Sequence, residues 1–291
     1  MDLALALQVL FGGLTSGGIY AMIALGFTLV YRSTTVLNFA HGEFAMMGAF
    51  LTITGVTVLQ LPLIVAVILA LAVTAVVGIV FERLAVRPVR TQAPFVVILL
   101  TLGASTLFRG VAMLIWGKDP LTLKAFSGET SIFIAGAAIQ PQVLWVLGGA
   151  IATVIGLSLF LNKTTYGKAL RACAENANAA SLVGINVSTM VLLSFAISAG
   201  IGAMAGVLIT PITAMEFNGG FGLAMKGLTG AIIGGLDRVS GVIFGALALG
   251  IIEAFSAVYI SSLMKEAVAF VVLILVLMVW PNGVLAKRAS H

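Results

Sequence analysis

Long apolar runs without a single charged side chain dominate this sequence. Residues 3–31 contain no Asp, Glu, Lys or Arg, and residues 44–81 contain none either. A helix crosses the hydrocarbon core of a bilayer with about 20 apolar residues. The second run is too long for one crossing and is interrupted near Pro62, so we predict two membrane segments there.

The overall composition excludes a soluble enzyme. Apolar residues make up 61% of the chain and charged residues 9%, whereas soluble domains contain about 45–50% apolar and about 25% charged residues. Such a chain has too little charge to cover a water-exposed surface. In lipid, only helices and closed barrels satisfy every backbone group, and barrel strands alternate over runs of about ten residues. The longer continuous runs here predict an all-α polytopic membrane protein.

We predict about eight to nine transmembrane segments, some of them broken or re-entrant, in a single domain over residues 1–291. The segments lie at about 3–31, 38–60, 62–81, 93–116, 141–161, 190–213, 223–236, 239–262 and 266–285. Two of these segments carry a face of small residues that favours close helix contact. The members of these faces are Gly12, Gly13, Ser16, Gly17 and Gly18 in the first segment and Ser198, Gly202 and Gly206 in the sixth.

Charged connections predict the orientation of the chain. The connections 82–92 and 162–189 and the tail residues 287–288 are basic, and cytoplasmic loops carry an excess of Lys and Arg. We therefore place these three segments inside, which by alternation puts the connections 117–140, 214–222 and 261–265 outside. If all nine segments cross, the N-terminus is outside. If a short segment near residue 40 or 225 re-enters, the count drops and the N-terminus can lie on the other side.

A polar cluster opens the second segment. It consists of Asn38, His41, Gly42 and Glu43. Ionisable side chains within a membrane usually face a cavity or a partner, and a helix that starts inside the membrane points its positive dipole end at a substrate. Asn38 is a suitable N-cap. The alternative is a helix that starts at the membrane surface, with Asn38 as cap and His41 among the lipid headgroups.

A second broken segment is predicted in the glycine-rich stretch 218–245, which carries Lys226 and Thr229. Discontinuous segments in corresponding halves of a chain indicate a transport site. We therefore take Lys226 and Thr229, together with the cluster near residue 40, as candidate substrate-pathway residues. Plain helix packing through glycine is the alternative.

Isolated charges occupy two other apolar spans. Arg109 and Glu253 lie toward the outer ends of spans that run outward in the predicted topology. The two residues can pair with each other, or Arg109 can extend independently to the membrane surface. The sequence predicts no catalytic residue and no metal site, because it has no nucleophile–base arrangement and His41 has no second ligand nearby.

The longest hydrophilic connection, 162–189, is rich in alanine. We predict a helix over about 168–182 from its residue propensities, with Gly184 as its C-terminal stop. The segment is weakly amphipathic in sequence. A short helix in a cytoplasmic loop becomes ordered either by docking on another subunit or by lying on the membrane surface.

Several of these stretches together resemble the permease subunit of bacterial branched-chain amino acid ABC transporters. The resemblance covers nearly the whole chain. It rests on residues 38–43, 82–83, 87–90, 167–172, 182–185, 234–235 and 280–283.

The resemblance implies a binding-protein-dependent importer in the bacterial inner membrane. In this family two homologous permeases form the pathway, two cytoplasmic ATPases use the ATP, and a periplasmic protein delivers the substrate. The permease itself would bind no cofactor, contact membrane lipid and bind no nucleic acid. Family members carry branched-chain or other hydrophobic amino acids, urea, short amides or aromatic acids. A secondary transporter or channel is the alternative from another class.

The resemblance also assigns roles to residues. The stretch 38–43 would start a broken helix beside the pathway, and the connection 162–189 would carry the coupling helix that docks into the ATPase. The residues of this coupling element are Gly167, Lys168, Arg171, Ala172, Glu175, Asn176 and Gly184.

Overall fold

The structure is a computed structural model that describes residues 3–89, 93–128, 130–236, 238–262, 264–281 and 283–285. Within these ranges, six helices are long and apolar enough to cross a membrane. Three shorter apolar helices, of 15 to 17 residues, complete the set. The predicted all-helical polytopic fold is confirmed.

The helices follow the predicted segments closely. In chain order they are α1 (Leu3–Thr34), α2 (His41–Thr57), α3 (Leu63–Phe81), α4 (Arg87–Val89), α5 (Pro94–Trp116), α6 (Pro141–Lys163), α7 (Thr165–Glu175), α8 (Ala177–Leu182), α9 (Val187–Ile209), α10 (Gly219–Gly234), α11 (Val239–Tyr259) and α12 (Lys265–Val279). A π-helical turn, Glu82–Val86, joins α3 to α4. The basic residue Arg90, the adjacent Thr91 and the tail residues 287–288 lie outside the described residues.

The connection between α5 and α6 contains a short hairpin that the sequence does not predict. Strands β1 (Ile132–Ile134) and β2 (Ala137–Ile139) pair antiparallel, with Ile132 opposite Ile139. Both turn residues, Ala135 and Gly136, have positive φ, as a tight two-residue hairpin turn requires. Three-residue strands are too short to produce a recognisable alternation of apolar and polar residues.

Small residues bring the central helices into backbone contact. A Cβ atom on Gly13 would lie 2.8 Å from the Cα of Ile251, and one on Gly17 would lie 2.9 Å from the Cα of Leu247. These two glycines therefore allow α1 to pack directly against α11. The predicted face on α9 packs in the same way, because Gly206 approaches the backbone of Ala45 in α2. Both predicted packing faces are confirmed, although Gly12 faces open space.

The hairpin and helix α7 lie at opposite ends of the bundle. The N-terminal part of α1 contacts β2, whereas its C-terminal residues Leu29 and Arg32 line one pocket with Leu170 and Arg171 of α7. The first helix thus starts at the hairpin end and finishes at the α7 end. If α7 is cytoplasmic, as the basic loops predict, the N-terminus of α1 is outside.

Candidate functional site

The second helix begins inside the bundle. The imidazole of His41, at the start of α2, is fully buried. A Cβ atom on Gly26 would collide with this ring, and one on Gly202 would lie 3.3 Å from its Cε1. Because Gly26 and Gly202 belong to interior turns of α1 and α9, the start of α2 lies well below the ends of its neighbours. A position of His41 among lipid headgroups is therefore wrong.

Asn38 orders the turn before this helix, but it is not the N-cap. The cap position belongs to Ala40, which offers no side-chain hydrogen bond. Instead, the Oδ1 of Asn38 accepts a hydrogen bond from the Ala40 N–H at 3.1 Å. The Asn38 side chain is 2% exposed. The predicted N-cap role is wrong because the chain makes one additional turn between Asn38 and the first helical residue.

His41 is held by polar and aromatic contacts from neighbouring helices. Its Nδ1 lies 2.9 Å from the Ser198 hydroxyl oxygen, which also lies 3.0 Å from the carbonyl oxygen of Gly26. Aromatic rings of Phe27 and Phe44 contact the imidazole edge-to-face. These contacts hold the imidazole ring between α1, α2 and α9.

The two broken segments predicted from the sequence meet in the structure. Gly42, in the first turn of α2, packs against Gly220 and Ala224 of α10. Gly220 is in turn close to the Gly42 carbonyl and lies beside the Glu43 carboxylate. The starts of two short helices thus cross inside the bundle, where each has glycine at the contact.

Glu43 lies at this crossing and forms an ion pair. Its Oε1 accepts a hydrogen bond from the Ser105 hydroxyl at 2.7 Å and lies 3.6 Å from the Nε of Arg109. The carboxylate is fully buried, whereas the Arg109 side chain is 28% exposed. The Arg109 guanidinium also lies 5.2 Å from the ring centroid of Phe221 in α10. Glu43 and Arg109 thereby connect α2, α5 and α10.

A ladder of polar contacts joins α2 to α5. The Phe39 N–H donates to the Thr101 hydroxyl at 3.2 Å, and the indole N–H of Trp116 donates to the Thr54 hydroxyl at 2.7 Å. With the Ser105–Glu43 bond, each pair is separated by 62 residues along the chain. The constant separation means that the two helices run parallel in fixed register.

The second pair of charges is Lys226 and Glu253. The Nζ of Lys226 lies 2.6 Å from Oε1 of Glu253, and the Tyr20 hydroxyl donates to Oε2 at 2.7 Å. The predicted alternatives for Arg109 and Glu253 are both wrong, because each forms an ion pair with a different residue. Sequence reasoning found all four charges but missed the pairing, since the partners lie on separate helices and only packing brings them together.

Thr229 lies one turn further along α10 than Lys226. It is buried, and its hydroxyl donates to the Met225 carbonyl within the same helix at 2.8 Å. Lys226 points toward α1 and α11, whereas Gly220 and Ala224 face α2. The structure therefore gathers Asn38, His41, Gly42 and Glu43 at one site and puts Lys226 on another side of α10.

The hydrophilic connection forms two helices instead of the single predicted one. Asn176 has extended backbone angles that end α7, and its side chain caps α8 by accepting from the Ala179 N–H at 2.9 Å. An asparagine side chain competes for backbone donors in this way and favours a new N-terminus. Gly184 ends α8 with a φ of 87°, so the predicted stop is confirmed.

Helix α7 is amphipathic, contrary to the sequence prediction. Gly167, Leu170 and Cys173 recur at three-residue spacing and are buried against the bundle. Thr164 caps this helix by accepting from the Gly167 N–H at 2.9 Å. Desolvation raises the pKa of the Cys173 thiol. The helix is thus ordered by its own chain before any partner is added.

Two of the residues that the resemblance assigns to the coupling element make contacts within the chain. Ala172 is half-buried against the core, and Arg171 donates to the Asn162 side chain at 2.8 Å. Lys168, Glu175 and Asn176 are exposed. The most exposed large apolar side chains of this connection are Leu182 and Val183, which are 87% and 77% exposed.

The chain is similar to known transport proteins over nearly its whole length. Residues 9–277 match the family described as "Branched-chain amino acid transport system / permease component". The chain belongs to this permease family. It is 34% identical to the high-affinity branched-chain amino acid transport system permease protein LivH of Escherichia coli (strain K12), over 97% of this chain and 96% of that protein.

Further relatives support the same family. The permease is 32% identical to the high-affinity branched-chain amino acid transport system permease protein BraD of Pseudomonas aeruginosa, over 97% of this chain and 96% of the relative. It is 26% identical to the ribose import permease protein RbsC of Escherichia coli (strain K12), over 93% and 84% of the two chains. The family is therefore one of multi-pass transport proteins rather than enzymes.

A solved structure shares the fold of the permease. The similar chain is described as PsaBC from Streptococcus pneumoniae in complex with Fab, with a TM-score of 0.51 and 11% identity. The match covers 95% of this chain and 92% of the other.

Within the described residues, the permease holds no group of three or more His, Cys, Asp or Glu side chains that could bind a metal ion.

Proposed function

We propose that this permease is the translocation subunit of an ATP-driven importer for branched-chain or other hydrophobic amino acids. The observation that carries the proposal is the match to LivH and BraD, which extends over 97% of the chain in each case. Urea, amide or aromatic-acid substrates are the alternatives within the family. ATP would be used by separate subunits, and this chain would bind no cofactor.

The proposed partners are a second homologous permease, two cytoplasmic ATPases and a periplasmic substrate-binding protein, in the inner membrane of a bacterium. The surface of α8 supports an ATPase partner. Leu182 and Val183 are adjacent apolar side chains that are largely exposed at the end of the bundle predicted to be cytoplasmic, and exposed apolar patches mark interaction sites. We assign Gly167, Lys168, Arg171, Ala172, Glu175, Asn176 and Gly184 to this coupling element.

We assign Asn38, His41, Gly42 and Glu43, at the start of α2, to the wall of the substrate pathway. Lys226 and Thr229 of α10 are assigned to the same pathway. Two buried polar atoms at the start of α2 support this assignment. The Nδ2 of Asn38 and the Oε2 of Glu43 have no hydrogen-bond partner among the described residues. Buried polar groups are nearly always paired, so this cluster suits a place that water or substrate visits.

Co-purification and reconstitution test the proposal. The tagged permease should bring ATPase subunits and a second permease with it in mild detergent. In proteoliposomes with the binding protein, leucine, isoleucine and valine uptake should require ATP on the ATPase side. Uptake by this chain alone, driven by a proton or sodium gradient, would instead establish a secondary transporter. ATP-dependent uptake of urea or amides without any amino acid uptake would overturn the substrate assignment only.

A further inference from the structure

A cavity of about 330 Å³ lies beside the Lys226–Glu253 ion pair, between α1, α10 and α11. Met215 in its wall forms an antiparallel bridge to Leu121 in the connection that carries the hairpin. The cavity is therefore on the hairpin side of the bundle, away from α7. Its volume falls at the small end of the range for ligand pockets, about 300–1,000 Å³, and suits a small organic molecule.

The lining of this cavity holds charges of both signs. Lys226, Glu253 and Lys265 all line it, and the Glu253 carboxylate is also fixed by the Tyr20 hydroxyl. The Lys226 and Glu253 side chains are only 19% and 6% exposed. Charged groups this deep in a membrane protein are expensive, and they commonly mark the path of a polar substrate.

The first turn of α10 adds a further feature that favours an anion. Gly219 and Gly222 line the same cavity, and α10 starts at Gly219 and continues for 16 residues. The start of a helix carries partial positive charge from its aligned peptide dipoles and favours a carboxylate. This helix start lies on the same wall as the Lys226 ammonium.

Apolar side chains also line the cavity. They belong to Ile19, Ile209, Met215 and Leu223. A ligand that fills the whole cavity therefore needs an anionic group, a cationic group and a compact hydrocarbon part. A sugar or urea has neither charge, and a monovalent ion has no apolar part.

We propose that this cavity is a transient binding site for a zwitterionic amino acid with an aliphatic side chain. The ligand α-carboxylate lies toward Lys226 and the start of α10, its α-ammonium lies toward Glu253, and its side chain contacts Ile19, Met215 and Leu223. The dipole of the ligand then opposes that of the Lys226–Glu253 pair, so that four charges alternate in sign. This inference rests on the proposed amino acid import, to which it adds a place and a recognition chemistry.

Photolabelling of the assembled transporter tests the site. Photo-leucine, a diazirine analogue of leucine, is irradiated with the reconstituted complex, and the labelled peptides are identified by mass spectrometry. We expect label on segments that contain Ile19, Met215 or Leu223, with competition by leucine. 4-Methylpentanoate is leucine without the ammonium and 3-methylbutylamine is leucine without the carboxylate, so neither should compete.

Variants separate ligand binding from a purely structural role of the ion pair. Lys226→Met should reduce labelling and leucine uptake about tenfold or more, as expected for a lost charge-assisted hydrogen bond, and Lys226→Arg should retain most of both. The double exchange Lys226→Glu with Glu253→Lys keeps an ion pair but reverses its polarity. Recovery of labelling and uptake by this double variant would show that the pair is only structural and would overturn the proposal.

Controls distinguish this inference from the proposed function. Lys118→Met removes an exposed cation from the hairpin-side connection and should leave labelling and uptake unchanged. If the wild-type complex imports leucine but photo-leucine labels other segments, or labels none, the site is wrong and the importer assignment stands. If the wild-type complex imports no amino acid, the proposed function itself fails.

Discussion

Glu43 and Arg109 form an ion pair that joins two parallel helices, with 3.6 Å between the carboxylate Oε1 and the guanidinium Nε. The outer face of α5 is largely exposed, as Leu107 and Leu114 illustrate at 63% and 83%. This helix is attached by the polar ladder to α2 and by the Phe108 ring, which contacts Phe44 and Phe81. The same carboxylate lies next to Gly220, where α2 crosses α10.

The first prediction concerns this ion pair. Arg109→Met should destabilise the permease by about 2–3 kcal/mol, because it leaves a buried carboxylate without its counter-charge. The partial exposure of Arg109 to solvent keeps the effect from being larger. The double variant Glu43→Gln with Arg109→Met should be more stable than Arg109→Met alone, since no buried charge then remains. Apparent melting temperatures in detergent measure both. Equal melting temperatures for Arg109→Met and wild type would show that the ion pair does not contribute to the stability of the permease.

The second prediction concerns the crossing of α2 and α10. Gly42→Ala places a methyl group against the Gly220 carbonyl and 2.5 Å from the Ala224 Cβ. Overpacking of this kind typically costs about 1–3 kcal/mol, so we expect a lower melting temperature and reduced uptake. Gly200→Ala is the matched control, because a Cβ atom on Gly200 meets nothing within 4 Å. Similar losses in both variants would argue against a special contact at Gly42.

The third prediction concerns the surface of α8 and rests on the proposed ATPase partner. Leu182→Ser should leave the permease folded, because the native side chain makes few contacts in the chain. Burial of a leucine side chain at an interface contributes about 1.5–3 kcal/mol, so its loss should weaken ATPase docking about tenfold or more. Substrate-stimulated ATP hydrolysis and co-purification of the ATPase measure the effect.

Asn178→Ala provides the control for this surface, since Asn178 is exposed on the same helix and should be nearly silent. Ala172→Trp is a poorer test, because Ala172 is half-buried against the core and a large side chain there disturbs the permease itself. If Leu182→Ser supports full coupled transport, the assignment of α8 to the ATPase docking surface is wrong.

The fourth prediction concerns thiol reactivity and orientation. Burial raises the pKa of Cys173, which lowers its thiolate fraction at neutral pH, and the thiolate is the reactive form. Native Cys173 should therefore react slowly with a membrane-permeant maleimide at pH 7 and faster as the pH rises. In a Cys173→Ser background, Asn178→Cys should react quickly with the same reagent.

Impermeant maleimide then reports the side of the membrane. In intact cells it should label Lys118→Cys, in the hairpin-side connection, and leave Asn178→Cys unlabelled. The reverse pattern would invert the predicted topology. Asn178 is used for the cytoplasmic side because Thr91, in the other basic connection, lies outside the described residues.

The sequence predicted the membrane class, most helix bounds and the position of the broken helix near residue 40. These features depend on local composition: runs of apolar residues set the spans, and glycine and polar residues interrupt them. The prediction is wrong where two local preferences compete. The alanines around Asn176 predict one continuous helix, whereas the Asn176 side chain caps a new helix, α8.

Local sequence alone indicates which segments enter the membrane and where charged or polar side chains interrupt them, because the cost of exposing polar groups to lipid applies to every short segment independently. Tertiary structure decided which of those side chains meet. The pairing of Glu43 with Arg109 and of Lys226 with Glu253 depends on helix register and on close approach at glycines. Those are relations between distant segments, and no local pattern in the chain encodes them.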